Sequence, residues 1–285
     1  MRKILVPTDF SPNALAAFCY AVPFAAQFNA DLVVAHVISR PTLPANTPLE
    51  VYETVMEGEK QLAWEQMQQQ VALKKEALPD DHEVRVIPVV ISNTFVKGVN
   101  QLVAQENAGL IIMGTKGATG LKRLFVGSNT TDLIEHTPVP LLAIPEKAKY
   151  RGMKKILVAL NLKHWKGTEP LQLLRRIVQA CASSVTILTM VQPGEEGAAN
   201  KAKVQAEMEE MLEVSPAWVE VKGKDVVSSI QEFVDTTSPD LLVLMPQPKS
   251  LWQQLFSSSV TYEFVFRPEI PVLVIPTRTY DIFAS

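Results

Sequence analysis

The sequence predicts an α/β protein made of two copies of one parallel-sheet unit. Three observations carry that expectation. Short runs rich in Val, Ile and Leu alternate with longer segments of helical character. The runs are nearly continuous in apolar residues, as in strands covered by helices on both faces, and lack the half-polar alternation of a solvent-facing sheet. The order of elements also occurs twice. Lys3-Ile4-Leu5-Val6 returns as Lys155-Ile156-Leu157-Val158, and Leu110-Ile111-Ile112-Met113 is answered by Leu241-Leu242-Val243-Leu244-Met245. The stretch from Thr137 to Pro145 is answered by the one from Pro268 to Pro276.

In chain order, Lys3 to Pro7 is the first strand. Ser11-Pro12 pairs an N-cap residue with proline at the first helical position, so the first helix begins there and ends near Asn29. Asp9 then sits in the turn above the first strand. Asp31 to Val37 is the second strand, and Pro41 to Pro48 leads into a long polar-rich helix from Leu49 to Leu78. Trp64, Met67 and Val71 are at helical spacing there. Strands follow at Glu83 to Val90, Leu110 to Met113 and Val139 to Ile144. The long helix is insertion-like, with only a shorter counterpart around Lys201 to Leu212. Residues 146 to 153 form a polar connection. The domains expected are residues 1–147 and 154–280, each an open five-stranded parallel sheet with helices on both faces.

Composition narrows the function classes. A chain of 285 residues is natural for two domains, and 47% hydrophobic with 20% charged residues is a globular balance. A net charge of -3 gives no basic excess for a nucleic-acid backbone. The start, Met1 to Asp9, has too few apolar residues before Pro7 for a signal segment, and no apolar run is long enough to span a membrane. A cytoplasmic protein with neither nucleic-acid nor membrane partner is expected. Cys19 and Cys181 read as small core residues. His36 and His136 read as core or capping groups, and no histidine has partners at metal-ligand spacing.

The chemistry concentrates in Ile112-Met113-Gly114-Thr115-Lys116-Gly117, with Gly127-Ser128 beyond it. A buried strand here runs into a glycine loop whose amides can approach an anion, and the hydroxyl residues after Gly127 can open a helix beneath it. Plainer readings stand beside this one. Asp9 can cap the turn before the first helix, the glycines can serve ordinary turns, and Lys116, Lys122 and Arg123 can be solvated surface charge.

Taken together, Pro7-Thr8-Asp9 and the pattern G-x2-G-x9-G-[ST], met by Gly114, Gly117, Gly127 and Ser128, resemble the universal stress protein family in a tandem arrangement. The resemblance covers essentially the whole chain. It implies two Rossmann-like domains of the adenine nucleotide alpha hydrolase-like type, with the first and fourth strands adjacent and Asp9 facing Gly114 across a crevice. It further implies that Asp9 bonds adenosine, Val37 packs on adenine, and Met113 and Gly114 line the ribose. Lys116, Gly117, Gly127, Ser128 and Asn129 would surround the phosphates. The implied ligand is ATP, ADP or AMP, with any Mg2+ held through the phosphates. Because family members dimerise largely through the last strand, the resemblance also implies an internal pseudo-dimer of the two halves, leaves a homodimer of two chains open, and implies a protein partner that it does not name.

The second copy departs where it matters. Asn161 answers Asp9, and Met245 is followed by Pro246-Gln247-Pro248-Lys249-Ser250, with Ser258 matching Gly127. Proline offers no N–H and fixes φ, so no phosphate nest of the same geometry is expected. The function expected is a nucleotide-dependent binding and regulatory protein of the stress response. The Walker pattern is absent and no general base is evident, so an enzyme with fast hydrolysis is not expected. The alternatives are a nucleotide-free interaction scaffold and an adenylating enzyme.

Overall fold

The structure, a computed structural model, describes residues 2–39, 44, 46–78, 83–115, 128–162, 165, 167–191, 198–222, 226–245 and 270–276. The chain divides into two compact α/β units with the boundary between Tyr150 and Arg151. In the first unit the strands are β1 (Lys3–Pro7), β2 (Asp31–Ile38), β3 (Val86–Ser92), β4 (Ile111–Gly114) and β5 (Leu141–Ile144). They alternate with α1 (Pro12–Phe28), α2 (Leu49–Ala72), α3 (Lys74–Ala77), α4 (Phe95–Glu106) and α5 (Ser128–His136). Strand order is β3-β2-β1-β4-β5, and the pairs are parallel. The order reverses between β1 and β4, where Leu5 stands beside Ile111. Helices leaving the two strands at such a reversal go to opposite faces and open a crevice at the carboxyl ends.

Packing follows from that topology. α1, α2 and α3 cover one face, and α4 and α5 the other. Ile4, Leu5, Leu32, Ile111, Ile112 and Leu141 are fully buried between the layers, with Phe18 and Phe24 of α1 above them. The start of α1 is fixed by the Ser11 hydroxyl, which accepts from Ala14 N–H at 3.2 Å, and by Pro12 in the first turn. Its end is fixed by Asn29 at φ +48°, a left-handed cap that asparagine tolerates.

Three expectations need correcting. The segment expected as one helix from Leu49 to Leu78 breaks at Leu73 into α2 and α3. In α2 the core-facing residues are Met56, Ala63, Met67 and Gln70, a narrow stripe. Trp64 lies one position, about 100°, around the helix from Ala63 and is 38% exposed, while Val71 is half-buried. The third strand begins at Val86, three residues later than Glu83, because its ladder with β2 starts by pairing Val86 with Leu32. It is the edge of this unit's sheet, and its exposed Pro88 offers no N–H to a further strand.

The second unit contains β6 (Lys155–Leu160), a 3₁₀ turn (Glu169–Leu171), α6 (Gln172–Cys181), β7 (Ser184–Val191) and α7 (Ala198–Leu212). It continues with β8 (Ala217–Lys222), α8 (Val226–Thr237), β9 (Leu241–Leu244) and β10 (Val272–Val274). Within this unit the order is β8-β7-β6-β9-β10, again parallel and again reversing beside the unit's first strand. The helix matching α2 is α7, of 15 residues against 24. Among the described residues no helix is long and apolar enough to cross a membrane.

Candidate functional site

At the carboxyl end of β1 the turn from Thr8 to Ser11 joins the strand to α1, at the strand reversal where the crevice is expected. Thr8 N–H donates to the Ala35 carbonyl at 2.8 Å, extending the ladder with β2 by one rung. The Thr8 carbonyl accepts from His36 Nδ1 at 2.8 Å, which places the ring proton on that nitrogen. Thr8 Oγ1 accepts from Phe10 N–H at 3.0 Å and donates to Gln70 Oε1 at 2.8 Å. Asp9, exposed at the top of the turn, has Oδ1 on Ser11 N–H at 3.1 Å. Its carboxylate is therefore oriented by a local Asx turn at the carboxyl end of β1. Phe10 completes the turn at φ +60°, stacked on His36 with ring centroids 4.6 Å apart.

Opposite stands the end of β4. Extending the Leu5–Ile111 register by three residues sets Thr8 level with Gly114, so Asp9 and the start of the glycine loop share one edge of the crevice. The role of Gly114 is specific. A Cβ there would lie 2.6 Å from the Asn13 carbonyl oxygen and 3.2 Å from Asn13 Cβ, which real structures do not permit. Glycine is what lets the first turn of α1 press onto the strand end. Asn13 itself is 6% exposed, and its Oδ1 is buried without a hydrogen-bond partner among the described residues. Beside it Thr115 is 3% exposed, its N–H on the Ile144 carbonyl at 3.3 Å.

The other expected residues fall as follows. Pro7 ends β1 and is buried. Val37 is half-buried and turned toward α4, where a Cβ on Gly98 would come within 3.0 Å of its methyl. Met113 points to the face opposite Gly114's side and is 7% exposed. Lys116, Gly117 and Gly127 lie outside the described residues. Ser128 and Asn129 open α5, as a helix following the glycine loop requires; their side chains are likewise outside the description. The sequence pointed to neither Asn13, Phe10 nor Gln70.

In the second unit β6 and β9 share the same register, with Leu157 beside Leu242 as Leu5 is beside Ile111. Leu160 thus stands where Thr8 does, Asn161 where Asp9 does, and Met245 where Gly114 does. Pro246, Pro248 and Ser258 lie outside the described residues.

Elsewhere, Cys181 is buried as expected, whereas Cys19 is only half-buried; desolvation, then the charge of Glu76, pushes its thiol up. His136 sits at the end of α5 with Nδ1 on the Asp132 carbonyl at 2.7 Å. Among the described residues no group of three His, Cys, Asp or Glu is placed to hold a metal.

Comparison with known proteins agrees with this geometry. The profile of the Universal stress protein family matches residues 1–145. A universal stress protein of Methanocaldococcus jannaschii is 27% identical over 152 residues, covering 52% of this chain and 84% of its own. A second from the same organism is 26% identical over 159 residues, 51% of this chain and 96% of its own. Over nearly the whole chain the fold is shared with a universal stress protein from Archaeoglobus fulgidus, at a TM-score of 0.71 and 18% identity, covering 97% of this chain and 98% of that one. Two successive copies of one parallel-sheet unit, the first matching that profile, establish that the chain belongs to the universal stress protein family.

Proposed function

We propose that the first unit binds ATP, or another adenine nucleotide, in the crevice above β1 and β4. The protein would then act in the cytoplasm as a nucleotide-dependent binding and regulatory protein of the stress response. The observation that carries this reading is the oriented carboxylate of Asp9 beside the side-chain-free end of β4 at Gly114 at one strand reversal, with α5 beginning at Ser128 after the segment that follows β4. A carboxylate there suits nucleoside hydroxyl or amino donors, and a helix start with glycine-loop amides suits phosphate. The buried Asn13 Oδ1 beside Gly114, without a partner among the described residues, adds an acceptor to the same edge. Val37 and the backbone of Met113 and Gly114 would contribute to the nucleoside side. Lys116, Gly117, Gly127, Ser128 and Asn129 would contribute to the phosphates, with Mg2+ carried by the phosphates. Each charge-assisted hydrogen bond in such a site contributes about 1.5–3 kcal/mol, and several support micromolar affinity after the cost of association.

Within the same proposal the fold is of the adenine nucleotide alpha hydrolase-like type, and residues 154–280 are a degenerate domain that binds no ATP in this manner. Met245 at the position of Gly114, followed by Pro246 and Pro248, supports that assignment. We assign it the role of an internal partner to the first. The test is to analyse the purified chain for released nucleotide and to titrate ATP against wild type, Asp9→Ala and Gly117→Val, checking folding of each variant by circular dichroism. Weakened binding in both folded variants supports the site. Unchanged affinity in both removes it.

A further inference from the structure

Helix α2 carries one buried residue that its packing does not call for. The core-facing stripe of Met56, Ala63 and Met67 continues to Gln70, which places an amide where an apolar side chain would serve the core. Gln70 is 5% exposed, and only one of its two amide atoms is used. Thr8 Oγ1 already accepts from Phe10 N–H, so its hydrogen is left to donate, and it does so to Gln70 Oε1 at 2.8 Å. Gln70 Nε2 is then buried with no acceptor among the described residues. A polar group kept at that disadvantage marks a place where local stability yields to a positional demand.

The demand is visible in what α2 touches. The N–H, carbonyl and hydroxyl of Thr8 are all committed, and of their partners among the described residues only Gln70 comes from outside the β1–α1 turn and β2. Two residues on, Phe10 holds a left-handed backbone that bulky residues avoid. Its ring packs against the cluster of Ile38, Met56 and Ala63, two of which belong to α2. Asp9 sits between these two gripped residues. Strain at one position, restrained by packing from a separate element, is the arrangement by which a binding turn is set in advance of its ligand.

We propose that α2 is the element through which nucleotide occupancy is read, with Gln70 and Phe10 as positioning residues for Asp9. This rests on the ATP reading given above. Linkage makes the relation reciprocal: if the grip of α2 readies Asp9 for ligand, ligand on Asp9 strengthens the grip of α2 by the same factor. Leu49, Val51 and Leu62 are exposed along the same helix, so a change in its stability alters the surface it presents. The second unit lacks the device, since Leu160 has no hydroxyl at the position of Thr8 and α7 is shorter.

The test uses the full chain, with ATP titration and amide hydrogen exchange over α2 in wild type, Asp9→Ala and Gln70→Leu. ATP should slow exchange between Ala63 and Ala72 in wild type. Gln70→Leu should keep the thermal midpoint, weaken ATP binding about tenfold, and abolish the response of α2. A purely structural role would move the midpoint and leave the response in place. Should Gln70→Leu unfold, the wild-type exchange response alone decides. A wild-type chain that binds ATP through Asp9 with α2 indifferent overturns this inference alone, as does a folded Gln70→Leu that binds and responds as wild type. A wild-type chain that binds no ATP overturns both the inference and the reading beneath it.

Discussion

The carboxyl ends of β1 and β6 are the same place in two copies of one unit, and they are built differently. β1 passes into α1 through Thr8–Ser11 alone; β6 reaches α6 only after Asn161–Leu171, which includes a 3₁₀ turn. The residue facing each turn across the reversal accounts for the contrast. At Gly114 there is no Cβ, and the Asn13 carbonyl of α1 occupies the space where one would stand. Met245, at the matching register, has a side chain there, so a helix cannot start in the same position. The second copy has therefore lost more than a glycine loop. The glycine that begins the loop is also the one that admits the helix, so the loop and the helix entry change together. Each unit still ties its first connection to the long helix after its second strand. In the first unit Thr8 bonds Gln70, and in the second Trp165 Nε1 donates to Glu207 Oε2 at 2.6 Å. Only the first of these ties adjoins the residue at the strand end.

That comparison can be broken in several ways. The largest effect is expected from Gly114→Met, which gives the first unit the residue of the second. Overpacking against the α1 backbone should destabilise the first unit by about 3 kcal/mol, read from its urea unfolding transition; a wild-type midpoint would contradict the packing account. Next is the pair Asp9→Ala and Asn161→Ala. Removing the carboxylate should weaken ATP binding by about 2 kcal/mol, some thirtyfold, while the asparagine change leaves affinity alone. Equal losses would mean that the two strand ends are functionally alike. The smallest effects belong to the ends of α1 and α6, capped in the left-handed region by Asn29 and Ala182 at φ +48° each. Alanine is the poorer residue there, so Ala182→Gly should stabilise the second unit by about 1 kcal/mol and Asn29→Gly the first by only a few tenths. Thermal unfolding of the two variants side by side gives the comparison.

How much of this could be read beforehand depends on whether the physics was local. The limits of α1 were legible because Ser11, Pro12 and Asn29 are themselves the capping chemistry. The five strands of the first sheet were legible from their apolar runs, although β3 starts at a place set by its pairing with β2. In the second sheet the runs matching β1, β4 and β5 were legible, while β7 and β8 were not placed. Asp9 and Gly114 were legible as a motif, but the packing reason for Gly114 was not, since it lies in α1. Gln70 was hidden among the glutamines of a polar helix, and nothing in its neighbours distinguishes it from Gln69 or Gln68. Phe10 gave no sign of positive φ because phenylalanine is not a residue type that announces one. Trp64 drew the apolar face toward itself by size, while Ala63, too small to stand out, is the residue that meets the core.

The proposal sets a single nucleotide site at the end of β1 in the first unit and none at the end of β6 in the second. Calorimetric titration of the nucleotide-stripped full chain with ATP measures that number directly. One site per chain is expected, weakened about thirtyfold in Asp9→Ala and unchanged in Asn161→Ala. Two sites per chain, or one that is unchanged in Asp9→Ala and weakened in Asn161→Ala, would contradict it.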